Sequence, residues 1–138
     1  MNTVFLSLGS NIGDRQQNLL TAINHIAVRI GHVQAQSAFI VTTPWGYVSD
    51  NNYLNAALKV TTTLEPFELL KATQQIERDM GRTHKTLDGN YQDRIIDIDI
   101  LLFYNGQQSV TVNSPTLTIP HPLMHQRDFV LTPLKEIL

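Results

Sequence analysis

The chain has 138 residues, of which 42% are hydrophobic and 16% charged, with a formal net charge of −2 and no cysteine. This near-neutral balance excludes a broad electrostatic grip on nucleic acid, which needs a basic surface to neutralise phosphates. The missing thiols exclude disulfides and thiolate metal sites, and the apolar runs fall well short of the ~20 residues that span a bilayer. The length predicts one domain over residues 1–138 with a single core. The start "MNTVFLSLGS" has no basic region followed by a long apolar stretch, which predicts no leader and a cytoplasmic protein.

Residues 3–8, "TVFLSL", read as a strand, followed by "GSNIGD", a stretch of turn formers with free backbone N–H groups. Asp14 is placed to cap a helix, with Gln17 three positions on. Leu19, Leu20, Ile23, Ile26, Ala27 and Ile30 recur at helical spacing, and Gly31 provides a stop. A second strand is predicted at 33–41, "VQAQSAFIV", and a third around "NAALKVTT", where Leu54, Ala56, Leu58 and Val60 share a face. Pro66 suits the first turn of a second helix whose stripe is Phe67, Leu70, Thr73, Ile76 and Met80, with Gly81 after it. A polar segment, 82–92, precedes a fourth strand, Ile95–Phe103; then come "TLTI", "PHPLMHQRDF" and a semi-apolar tail. The order β-α-β-β-α-β with an appendage predicts an α+β, ferredoxin-like fold, a mainly antiparallel sheet with helices on one face and the other left for a ligand.

The fourth strand carries an unusual pattern. In "DRIIDIDILL", residues 93–102, Asp97 and Asp99 fall on one side of the strand, while Ile96, Ile98 and Ile100 take the other. Two close carboxylates repel and raise one another's pKa unless a cation sits between or beside them. Oxygen ligands without histidine or cysteine favour Mg²⁺, and Mg²⁺ held by one or two carboxylates usually completes its shell with water and phosphates. That combination points to a nucleotide. By itself a D-x-D pattern equally suits a solvated sheet surface, so the neighbouring residues decide.

Arg82, His84, Lys85 and Arg94 bracket the polar segment before the pair, and basic residues there provide charge that can close over phosphates. Parity would put Arg94 on the isoleucine face if pleating began before it, so it belongs to the loop. In "PHPLMHQR", prolines hold His121 in an extended segment, with His125 and Arg127 close behind as further phosphate donors. Thr43, Pro44, Trp45, Tyr53 and Asn55 combine an amide that can read a heterocycle's edge with rings that can stack on its faces. Neither a G-x-x-x-x-G-K-[ST] loop nor a G-x-G-x-x-G fingerprint is present, so nucleotide binding of the P-loop or Rossmann type is not expected.

These stretches together resemble 6-hydroxymethyl-7,8-dihydropterin pyrophosphokinases, over nearly the whole chain: "LSLGSNIGDR", "TTPWG", "NYLNAAL", "IERDMGRTHK", "DRIIDIDILLF" and "LTIPHPLMHQRDFVLTPL". The resemblance implies a ferredoxin-like α/β/α fold and diphosphate transfer from ATP to a pterin alcohol. It further implies two Mg²⁺ ions on Asp97 and Asp99, with Arg82 and Arg94 as mobile-loop arginines and Lys85 as another loop cation. Gln74 and Glu77 would belong to the ATP-binding surface, and His121 and Arg127 would contact ATP. Gly9, Thr43, Pro44 and Asn55 would line the pterin pocket, with Tyr53 and Phe129 stacking on the ring. The implied partners are small molecules only, with no nucleic acid and no membrane, and the implied state is a monomer.

The chain departs from the family pattern around the loop. Gln92-Asp93 stand before Arg94 where Gly-Pro is common, Tyr91 takes the place of a frequent tryptophan, and Pro122 follows His121 where an aromatic is common. A binding module that holds a heterocycle without turnover is the alternative class; it needs no metal at Asp97. A nucleic-acid binder on the open sheet face is disfavoured by two aspartates on that face.

Overall fold

In a computed structural model the described residues are 1–43, 51–81 and 94–138. Pro44, Trp45, Arg82, His84, Lys85, Tyr91, Gln92 and Asp93 therefore lie outside the described residues. The chain runs β1 (Asn2–Ser10), α1 (Arg15–Arg29), β2 (Gly31–Gln36), β3 (Ile40–Thr42), β4 (Tyr53–Thr62), α2 (Pro66–Asp79) and β5 (Asp97–Asn105). Short strands β6 (Gln108–Ser109), β7 (Val112–Asn113) and β8 (Thr118–Ile119) follow, then a 3₁₀ turn, Met124–Gln126, and α3 (Asp128–Ile137). The main sheet is ordered β2-β4-β1-β5-β6, with β3 also on β4, and every pairing is antiparallel. This is the ferredoxin-like α+β arrangement that the element order predicts, with β4 inserted between β1 and β2.

Local chemistry accounts for the elements. The Asp14 carboxylate accepts from the Gln17 amide at 3.1 Å and so caps α1. Pro66 opens α2, where Glu68 Oε1 accepts from the Glu65 amide at 3.0 Å, and Gly81 follows the helix at φ +100°. Gly31 has a different role from the stop expected of it. It is the first residue of β2, and an added Cβ would lie 1.9 Å from the Thr61 carbonyl oxygen, so close strand approach excludes a side chain there.

The helix-covered face packs Val4, Leu6 and Leu8 of β1 and Ala56, Leu58 and Val60 of β4 against Leu19, Ala22 and Ile26 of α1 and Leu69 and Ile76 of α2. The buried stripe of α2 is therefore Leu69, Thr73, Ile76 and Glu77, whereas Phe67 is 49% exposed. Helical periodicity alone leaves this rotation about the axis undecided. On α1, likewise, Ala22 is buried and Leu20 is exposed.

The expected second strand is two strands. Residues 37–39 interrupt it, and Ser37 crosses to β4, its amide donating to the Ala57 carbonyl at 3.0 Å and its Oγ accepting from the Ala57 amide at 2.8 Å. The opposite sheet face is not wholly open either. A second cluster of Phe5, Leu101, Met124, Val130 and Leu134 seats α3 on it, so the tail becomes a third layer. A register shift in the β1–β5 ladder leaves Leu101 between the partners of Leu6 and Phe5. This bulge turns both Leu101 and Leu102 toward the second cluster and returns Phe103 to the first.

Candidate active site

The site occupies the end of this second face that α3 leaves uncovered. Across the sheet, Asn55, Gly9 and Asp97 are paired neighbours in one row, and Ala57, Ser7 and Asp99 in the next. Directly opposed residues have Cβ atoms about 4.5–5.5 Å apart, so the rows are continuous surfaces. Asp97 and Asp99 are half-buried, and Ile96, Ile98 and Ile100 are buried on the other side, as parity predicts.

Gly9 is the floor. A Cβ there would meet Asn55 Oδ1 at 2.9 Å and Tyr53 Cδ1 at 3.1 Å. Asn55 is 2% exposed, and its amide donates to the Thr42 hydroxyl of β3, which fixes the side chain against the floor. Above the floor lies a cleft of about 500 Å³, counting space open to solvent, lined by Ser7, Gly9, Thr42, Thr43, Tyr53, Asn55, Asp97, Asp99, Arg127 and Phe129. The last two come from the start of α3, with the Arg127 guanidinium 5.6 Å from the centre of the Phe129 ring.

A second cleft, about 600 Å³ on the same measure, opens beside it and is lined by Leu70, Ile98, Asp99, Ile100, Pro115, Thr116, Leu117, Thr118, His121 and Pro122. Asp99 belongs to both clefts. His121 is tied to the sheet edge by its amide, which donates to the Leu101 carbonyl at 3.0 Å. Burial, reinforced by the Arg127 charge and opposed by that of Asp97, holds the His121 pKa below its ordinary value. Its Nδ1 accepts from the Leu123 amide at 3.2 Å, an arrangement that suits the neutral tautomer with the proton on Nε2.

The structure thus gathers Gly9, Thr43, Tyr53, Asn55, Asp97, Asp99, Arg127 and Phe129 around one cleft, and His121 with Asp99 around the next. Three expected residues sit elsewhere. Gln74 is exposed on α2, outside the lining of either cleft. Glu77 is not on an open surface but 6% exposed, with Oε2 accepting from the Ile98 amide at 2.9 Å. Arg94 is 6% exposed and its backbone is held in both directions, its amide donating to Asn11 Oδ1 at 2.6 Å and its carbonyl accepting from the Asn11 amide at 3.0 Å. These bonds clasp the Arg94 backbone to the turn after β1. Asn11 Nδ2 also donates to the Asn51 carbonyl at 3.3 Å, joining the segments that lead into β4 and β5.

Ser7, Thr42 and the apolar wall of Leu70 and Leu117 are lining residues that the sequence reading misses. Ser7 was legible, because it lies two places from Gly9 on the same strand face. Thr42 was not, since its placement depends on the break at 37–39.

Comparison with known proteins addresses the chemistry. Residues 5–138 match the family model of 7,8-dihydro-6-hydroxymethylpterin-pyrophosphokinase (HPPK). The chain belongs to the HPPK family. It is 47% identical over 137 residues to a 2-amino-4-hydroxy-6-hydroxymethyldihydropteridine pyrophosphokinase of Porphyromonas gingivalis, covering 99% of this chain and 91% of that one. A Bacillus subtilis enzyme of the same name is 42% identical over 140 residues, covering 99% and 78%. Among solved structures, the wild-type Plasmodium falciparum HPPK-DHPS aligns with a TM-score of 0.74 at 17% identity, covering 99% of this chain and 40% of that longer one, a likeness of fold. HPPK proteins transfer a pyrophosphoryl group from ATP to hydroxymethyldihydropterin in folate synthesis.

Proposed function

We propose that this chain carries out the HPPK reaction in a Mg²⁺-dependent form, as a monomer of one domain acting in the cytoplasm, with the two aspartates as the metal-binding pair. The observation that carries this reading is that Asp97 and Asp99 stand on the open sheet face and that Asp99 is common to two adjacent clefts. A reaction between two bound molecules needs such a shared wall.

The donor set fits Mg²⁺. Both groups are hard carboxylates, and among the described residues no three histidines or acids gather to complete a shell. Such a pair leaves positions for phosphate oxygens and water. Asp97 and Asp99 would hold two Mg²⁺ ions, which would supply positive charge against that building on the phosphates.

The chain's own residues account for binding and orientation. The Gly9–Asn55 floor offers a close flat approach and an amide edge, Tyr53 and Phe129 offer rings for stacking, and Thr43 and Pro44 complete the pterin wall. His121 presents a neutral N–H and Arg127 a guanidinium toward phosphate, with Arg82, Lys85 and Arg94 as further cations and Gln74 at the outer edge of ATP. In the reaction the pterin hydroxyl oxygen bonds to the β-phosphorus and loses its proton, the α–β bridging bond breaks, and AMP leaves with the bridging oxygen. Positioning and charge neutralisation drive it, with no covalent enzyme intermediate.

The test is AMP release from ATP with 6-hydroxymethyl-7,8-dihydropterin, with Mg²⁺ and with EDTA. Pterin-dependent AMP that EDTA abolishes is expected. A folded protein that binds pterin yet releases no AMP would instead be a binding module.

A further inference from the structure

Beyond this reading, and resting on it, we infer that Glu77 is a positioning residue: from inside the protein it fixes the strand segment that aims Asp97 and Asp99. Its job is not to touch ATP.

The argument starts from the edge of β5. Along its inner side the strand pairs with β1 from Asn105 to Asp97, but on its outer side β6 reaches only Tyr104 and Asn105. Outward-facing backbone groups nearer the site need other partners, because an unpaired buried amide costs about as much as a lost hydrogen bond. The Phe103 carbonyl accepts from the Val110 amide at 2.9 Å, and the Leu101 carbonyl accepts from the His121 amide at 3.0 Å. At Ile98, the residue between the two aspartates, the acceptor is the Glu77 carboxylate.

Three properties suit Glu77 to this task. It lies on the buried stripe of α2, beside Thr73 and Ile76, so a rigid helix carries it. A carboxylate bonds a backbone N–H more strongly than a neutral oxygen does. And it acts at the one amide whose two neighbours in sequence are the metal-binding side chains, so a rotation of the peptide there would turn Asp97 and Asp99 apart. The β1 ladder holds the inner side of this segment in regular register from Ile100 to Asp97, and Glu77 holds its outer side at Ile98.

The test uses Glu77→Gln, which keeps an oxygen of equal reach, and Glu77→Met, which removes the acceptor at similar volume; Glu77→Asp, too short to reach, substitutes if the Met variant fails to fold. Two readouts are independent of turnover: hydrogen exchange of the Ile98 amide, and Mn²⁺ binding followed by electron paramagnetic resonance with α,β-methylene-ATP. Glu77→Met should speed Ile98 exchange and weaken Mn²⁺ binding about tenfold, the scale seen when a partner of a metal ligand is lost, with pterin affinity unchanged and Glu77→Gln within about threefold of the natural chain. Natural Mn²⁺ affinity in Glu77→Met, or a Gln variant as impaired as the Met one, overturns the inference. Asp97→Asn is the control. If it too binds Mn²⁺ normally, the metal reading itself fails; if it loses Mn²⁺ while Glu77→Met does not, only the role of Glu77 fails.

Discussion

The two faces of β5 share one backbone and differ in every other respect. Toward the helix layer, Ile96, Ile98, Ile100 and Phe103 are buried in the main core, with Ile98 and Ile100 also reaching the second cleft. On the opposite side, Asp97 and Asp99 stand half-buried in the first cleft, and Asp99 also lines the second. The comparison teaches that stability and chemistry are divided by side-chain parity along a single strand. The helix-covered face holds the backbone still so that the polar face can afford two like charges.

If that division is real, the largest effects belong to the polar face and appear in turnover alone. Asp97→Asn and Asp99→Asn should each lower kcat by several orders of magnitude, consistent with losing a charge term of several kcal/mol, while the urea midpoint barely moves. Near-natural activity in either variant would break the comparison. The complementary change is Phe103→Ala, at a site on the same strand that is 2% exposed and lines neither cleft, which should cost about 3–5 kcal/mol in urea unfolding and lower activity only as the folded fraction falls.

Smaller effects sharpen the boundary within the polar face. Gly9→Ala would force Asn55 or Tyr53 aside, and Asn55→Ala removes the amide edge; each should weaken pterin binding about tenfold in calorimetry and leave ATP binding unchanged. Equal losses for both ligands would show that the clefts are not separate in function. The smallest effect concerns pH. The half-buried ring of His121 binds a proton less readily than it does in the unfolded chain, where its pKa is the ordinary 6.5. Its contribution to stability is therefore present above pH 6.5 and is lost as pH falls from there through the lowered pKa of the folded state. Chemical denaturation of metal-free protein between neutral and mildly acidic pH should show this slope, and His121→Gln should flatten it.

Much of the site was written locally. Parity placed Asp97 and Asp99 opposite the isoleucines, whereas Gly9, read as the first residue of a turn, is a paired residue inside β1. Helix ends at Asp14 and Pro66 are read from caps that involve residues three apart. Parity and caps depend on neighbours in sequence, so the sequence by itself determined them, along with the element order and hence the ferredoxin-like fold.

Other features depend on contacts between distant segments, and only the tertiary structure decided those. The rotation of α2 that buries Glu77 and exposes Phe67 follows from where the helix meets β5, since helical periodicity fixes a stripe's width and not its centre. The clasp between Asn11 and Arg94 joins positions 83 apart. The seating of α3 over Phe5 and Leu101 turns an apolar tail into the wall that brings Arg127 and Phe129 to the cleft. In each case the energy lies in burying or satisfying groups that meet only after the chain has closed on itself, and no local pattern records that meeting.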